Sequence, residues 1–170
     1  QGYSSAASDV YKRQDQDVEI SEEISSDIIN FKPKEKNIEY RSINLIGKVS
    51  AGNPCYAFEE ILDSFNIPSN LLCPSKDYFI LKVKGDSMNK IYSPGELILI
   101  ESTTLVDNND IIIAIIDEEA TCKKVHFYPN EIALIPQSSN PLHKVQTYKP
   151  IDVHISGKVL GKLFDYIKNE

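Results

Sequence analysis

The run Ile111-Ile112-Ile113-Ala114-Ile115-Ile116 constrains the fold of this chain more than any other feature. β-Branched side chains are stiff at χ1 and pack well on a pleated surface. A run with no polar alternation is a strand covered on both faces, so it belongs in the middle of a sheet. It is strand-sized, far short of the ~20 apolar residues of a membrane helix. Asp117-Glu118-Glu119 reads as a turn, and Ala120 to Phe127 pairs back as a hairpin. Further strand signals are Ile43 to Val49, Tyr78 to Lys84, Leu97 to Glu101, Glu131 to Ile135 and Val153 to Leu163. Tyr78, Ile80 and Lys82 alternate with Phe79, Leu81 and Val83, the period-2 pattern of a strand. Between Phe65 and Leu72, Pro68-Ser69-Asn70 is the start of a short helix. No internal repeat is present. Short strands at this spacing, with few helical periods, predict a mostly β, curled antiparallel domain with short helices.

The chain has 170 residues, enough for one compact domain and an arm. Its 25 acidic and 18 basic residues give a net charge of −7. That disfavours gripping nucleic acid directly, because phosphate binding needs a concentrated basic surface. Three cysteines, Cys55, Cys73 and Cys122, have no Cys-x-x-Cys spacing, and His126, His143 and His154 have no metal-ligand spacing. We therefore expect no disulfide framework, no metal and no cofactor, and a reducing, cytoplasmic setting. No signal-peptide pattern opens the chain, and no membrane association is expected.

The first residue is Gln1, and the only methionine is Met88. Residues 4–14, Ser-Ser-Ala-Ala-Ser-Asp-Val-Tyr-Lys-Arg-Gln, match the in-frame translation of a transposase adapter used in sequencing libraries. We set residues 1–14 aside as an adapter-derived scar. Residues 15–42 read as an acidic, flexible linker: Asp15 to Asp27 carries six acids and no base, and Phe31 to Tyr40 is rich in Lys, Glu and Pro. Ile20, Ile24 and Ile28 also have the spacing of a short amphipathic helix. Residues 43–170 form the globular domain.

Three short segments could carry chemistry. In Gly85-Asp86-Ser87-Met88, directly after a strand, the glycine and the strand end would expose the serine hydroxyl, although Gly-Asp-Ser is also a common turn. In Thr121-Cys122-Lys123-Lys124 the two lysines point to opposite faces of a strand. Lys123 shares its face with Thr121 and Val125, which suit a packed surface, so Lys123 is the one expected to be partly buried. Desolvation lowers a lysine pKa, and a neutral lysine beside a serine can take the hydroxyl proton. The plainer reading is an edge-strand lysine that guards against aggregation. In Val49-Ser50-Ala51-Gly52 small side chains would let an extended segment enter a tight cleft; an ordinary turn before Pro54 is the alternative.

In this order, the three segments resemble the C-terminal domain of LexA-type repressors, the S24 self-cleaving peptidase family. Supporting matches are Ser93-Pro94-Gly95-Glu96-Leu97, Leu134-Ile135-Pro136-Gln137-Ser138-Ser139-Asn140 and Ile155-Ser156-Gly157-Lys158-Val159. The likeness runs from about Ile43 to Phe164. It implies a LexA/signal-peptidase-like β fold with a flexible N-terminal arm. It also implies Ser87 as nucleophile, Lys123 as general base and Ala51-Gly52 as the scissile bond in the same polypeptide. Val49 and Ser50 would seat the cleavage loop, and Gly85 and Met88 would position the nucleophile and its oxyanion donors. Implied partners are a second copy of the chain, a RecA-type recombinase filament as co-protease, and DNA through a domain that residues 15–42 once joined.

Two other readings compete. One is a UmuD-like or degenerate, non-catalytic dimerisation and partner-binding module; the full set of candidate catalytic positions and the Ala51-Gly52 bond weigh against it. The other is a signal peptidase, which shares a Ser-Lys dyad and a Ser-Met pair; the lack of a membrane anchor and the internal Ala-Gly bond weigh against that.

Overall fold

The computed structural model describes residues 38–49 and 60–167. Their framework is one nine-stranded sheet. In chain order the strands are β1 (Tyr40–Ile46), β2 (Ile61–Pro68), β3 (Tyr78–Lys82), β4 (Leu97–Glu101), β5 (Ile111–Ile116), β6 (Glu119–Phe127), β7 (Ile132–Ile135), β8 (Gln146–Tyr148) and β9 (His154–Lys162). Their spatial order is β2-β1-β3-β4-β9-β5-β6-β7-β8. All neighbours are antiparallel except β1 and β3, which meet in parallel at Leu45 and Ile80. Among the described residues, helix is limited to 3₁₀ turns at Ser69–Leu71 and Pro150–Asp152 and the four-residue α1 (Phe164–Ile167). The mostly β, curled architecture expected from the sequence is the one found.

The isoleucine run lies inside the sheet as β5, between β6 and β9. Both of its faces are covered. Ile113 and Ile115 join a core that includes Phe79, Val83, Met88, Ile98 and Ile100. Ile112 and Ala114 pack with Val125, Ile132 and Leu134. A third core, on Ile43, Ile67, Ile80, Leu99 and Leu163, covers the β1–β4 end. Alternation is therefore lost in the central strands, because neither face meets water. β3 divides between two of these cores as its pattern predicts, with Phe79 in one and Ile80 in another.

The β5–β6 connection is a two-residue turn in which Asp117 and Glu118 both have positive φ, 49° and 66°, with Ile116 paired to Glu119. That backbone suits the right-handed twist of a hairpin. Between β9 and β4 the backbones come so close that only glycine fits at Gly157. A Cβ there would lie 2.7 Å from the Glu101 carbonyl oxygen.

Two strands carry no clear signal in the sequence. β2 is an edge strand with four exposed residues at its start, and β8 is a three-residue edge strand. The short helix expected within Phe65 to Leu72 is the single 3₁₀ turn that follows β2.

Candidate active site

Ser87 follows β3 in a turn that Gly85 opens at φ +70°. A Cβ on Gly85 would touch nothing within 4 Å, so the glycine serves backbone conformation rather than close packing. Met88 is 1% exposed and sits in the core with Val49, Val83 and Tyr92. Its carbonyl accepts the N–H groups of Ile91 (2.9 Å) and Tyr92 (2.8 Å). The methionine thus pins the turn from below, and its neighbour Ser87 stays partly exposed. Among the described residues, neither the Ser87 nor the Met88 N–H donates a backbone hydrogen bond.

Lys123 reaches this serine from β6. Its Nζ donates to Ser87 Oγ at 2.8 Å, to Thr121 Oγ1 at 2.7 Å and to the Cys122 carbonyl at 3.0 Å. Lys123 is 8% exposed, whereas Lys124 is only half-buried. Burial holds the Lys123 amine below the ordinary lysine range, opposed only by the neighbouring Cys122. The facing argument from the sequence thus selects the lysine that meets the serine. Burial also pushes the Cys122 thiol up to about 12, which keeps it protonated and poorly nucleophilic.

Ser87 stands at a cleft of about 550 Å³ whose lining also includes Val49, Leu81, Met88, Ile113 and Thr121, the last of which accepts from the Lys123 amine. Val49 is 5% exposed and forms part of the cleft wall. Ser50, Ala51 and Gly52 lie outside the described residues, as do residues 1–37 with the scar and helix expectations and most of the expected linker; residues 40–42, read as the end of that linker, are instead the start of β1, held by their pairing with β2.

Sequence reasoning missed three groups beside the serine. Thr121, read only as a packing residue, accepts from the Lys123 amine. Asp86 accepts from Asn140 Nδ2 (2.8 Å) and pairs with His143. Ser138 Oγ donates to the Asp86 carbonyl at 2.7 Å. The alternation Thr121-Cys122-Lys123 could have revealed the first; nothing local links Asp86 to residues more than fifty positions away. Among the described residues no cluster of His, Cys, Asp or Glu could hold a metal ion, and no helix is long and apolar enough to cross a membrane.

A buried lysine amine on a serine hydroxyl, carried by a curled β-sheet at an apolar cleft, is the layout of a Ser-Lys peptidase-like domain. Residues 44–160 match the Peptidase S24-like family, and the chain belongs to that family. It is 39% identical over 139 residues to a LexA repressor of Clostridium perfringens (strain SM101 / Type A), covering 79% of this chain and 64% of the relative. It is 36% identical over 124 residues to the LexA repressor of Moorella thermoacetica, covering 71% and 57%. A LexA repressor of Clostridium botulinum (strain Langeland) is 37% identical over 126 residues, with 74% and 59% covered. The chain therefore spans less than two thirds of the length of these relatives.

Proposed function

We propose that this chain is the self-cleaving core of a LexA-type transcriptional repressor, and that it cuts its own Ala51-Gly52 bond. The observation that carries this reading is the 2.8 Å contact between Ser87 Oγ and the buried amine of Lys123. A desolvated lysine is neutral at a lower pH than a free one. Once neutral, its lone pair accepts the Ser87 hydroxyl proton as Oγ attacks the Ala51 carbonyl carbon. The N–H groups of Ser87 and Met88 face the developing oxyanion. Collapse breaks the Ala51–Gly52 C–N bond, and the Lys123 ammonium returns the proton to the Gly52 amine. Water, deprotonated by the same lysine, then hydrolyses the Ala51 ester on Ser87.

Val49, the residue expected to seat the cleavage loop, supports the reading. It is buried in the cleft wall only two residues before Ala51. A substrate held in the same chain has a high effective concentration and needs no tight binding of its own. Control then rests on whether the loop is docked. A partner that favours the docked state speeds cleavage without supplying a catalytic group. By family resemblance that partner is a RecA-type recombinase filament, the chain pairs with a second copy as a homodimer, and DNA contact comes from sequence outside residues 43–170.

The test is the intact mass of the purified chain after incubation at neutral and at alkaline pH, beside Ser87→Ala. Products of residues 1–51 and 52–170, formed faster at alkaline pH and absent in the variant, are expected. An unchanged mass in a folded sample, even with an activated recombinase filament, overturns the reading in favour of a non-catalytic, UmuD-like module.

A further inference from the structure

Ser87 lies in no helix or strand, and its lysine partner is four strand positions away in the sheet. Something must tie the serine turn to the strand that carries the lysine. β6 pairs with β7, with Lys124 opposite Ile135, and the chain leaving β7 runs directly onto the serine turn. Gln137 N–H donates to the Ser87 carbonyl (2.9 Å), and Lys90 N–H donates to the Gln137 carbonyl (2.9 Å). Ser138 Oγ caps the Asp86 carbonyl, and Ser139 N–H donates to Asn89 Oδ1 at 2.8 Å.

Asp86 brings a carboxylate to this seam. Its two carboxylate oxygens are held separately, one by Asn140 Nδ2 and the other by His143 Nε2. The carboxamide of Asn140 is itself oriented, because its Oδ1 accepts the Leu142 N–H at 3.1 Å. His143 N–H donates to the Asn140 carbonyl at 3.2 Å, so one tight turn presents both partners. The two donors hold the Asp86 carboxyl below the usual carboxylate range.

We propose that Asp86 is a positioning residue for Ser87, clamped by Asn140 and His143 so that the serine hydroxyl stays within reach of the Lys123 amine. The proposal rests on the Ser-Lys reading for its catalytic consequence, but the clamp itself is a separate physical claim. Asp86 touches neither the amine nor the scissile bond. It acts through the backbone of the next residue, whose carbonyl is fixed by the same 136–143 segment.

Self-cleavage of the full chain under alkaline conditions tests it. Asp86→Ala is expected to slow cleavage about 100-fold, the usual cost of misplacing a reacting group by about 1 Å. The pH at which the residual rate is half-maximal should not move, since the lowered pKa of Lys123 comes from its burial and not from Ser87 or Asp86. Asp86→Asn keeps an oxygen for Asn140 Nδ2 and should recover at least about tenfold of that loss. Parental cleavage in Asp86→Ala, a shifted half-maximal pH, or no recovery in Asp86→Asn overturns the proposal.

A second measurement needs no catalysis. In a Ser87→Ala background, adding Asp86→Ala should speed hydrogen exchange at the Gln137 and Lys90 amides; unchanged exchange overturns the clamp. A parental chain that never cleaves defeats the Ser-Lys reading alone, and the clamp is then decided by exchange.

Discussion

Replacing Lys123 with methionine separates the chemical role of this side chain from its packing role. Methionine is similar in length and unbranched, so it fills the same space without an amine. Three hydrogen bonds are lost, to Ser87 Oγ, Thr121 Oγ1 and the Cys122 carbonyl. Each is worth about 1 kcal/mol net. Against that loss, a desolvated amine no longer has to be kept in an 8%-exposed site. The two effects oppose each other, so folding stability should change by no more than about 2 kcal/mol. Self-cleavage should fall at least about 100-fold, the usual contribution of a general base.

The pH dependence of the stability gap is the sharper part of this prediction. Native Lys123 has a lowered pKa, while the unfolded lysine keeps the ordinary 10.5. Between the two values the unfolded chain binds more protons than the folded one. Parental stability therefore rises with pH in that window, by at most about 1.4 kcal/mol per pH unit. Below the native value both states are protonated, and the folded parent carries the full cost of burying an ammonium. The methionine variant has no such group. Its stability relative to the parent should be highest at neutral pH and should decline as pH rises towards 10.5. Urea unfolding of parent and variant at a series of pH values measures this, and all other titrating groups cancel in the difference. A gap that stays flat with pH, or grows as pH rises, refutes the argument that burial discharges this lysine. Undiminished cleavage in the variant refutes its role as base.

Further predictions concern the frame around the site. Gly157→Ala would place a Cβ 2.5 Å from Ile100 Cγ2 and 2.7 Å from the Glu101 carbonyl oxygen. Forcing β4 and β9 apart should cost about 2–3 kcal/mol in urea unfolding. Glu118→Gly relieves a φ of 66° in the β5–β6 turn and should stabilise by about 0.5–1 kcal/mol, read as a raised unfolding midpoint. With iodoacetamide at mildly alkaline pH, peptide mapping should find Cys73 alkylated well before Cys122. Cys73 is exposed, with a pKa lowered by its hydrogen bond to Ser75. The Cys122 thiol is pushed up to about 12 by burial.

Much of the sheet is legible in the sequence, because strand signals are local. The isoleucine run, the Leu97–Glu101 strand and the alternation of Tyr78 to Lys82 all report burial on one or both faces of a pleat. The Asp117-Glu118 turn declares itself by polarity between two apolar runs. β2 and β8 escape notice for the opposite reason. Each is an edge strand, mostly exposed, and made a strand by its hydrogen-bonded neighbour rather than by its own side chains.

The site divides in the same way. That Lys123 rather than Lys124 turns inward follows from period-2 geometry and from the residues it shares a face with. That it meets Ser87 does not. β4, β9 and β5 stand between β3 and β6, so a flat sheet would hold the two strands about 19 Å apart. Only the curl of the sheet and the path of the turn after β3 bring the amine to 2.8 Å from the hydroxyl. The Asp86 clamp is further still from local pattern, since its partners lie 54 and 57 residues along the chain. The sequence by itself determined the covered strands of the sheet, which lysine is buried and which serine ends a strand, because those depend on neighbours within a few positions. The tertiary structure alone decided which of them touch, because contacts across the sheet depend on strand order and curvature that no local pattern encodes.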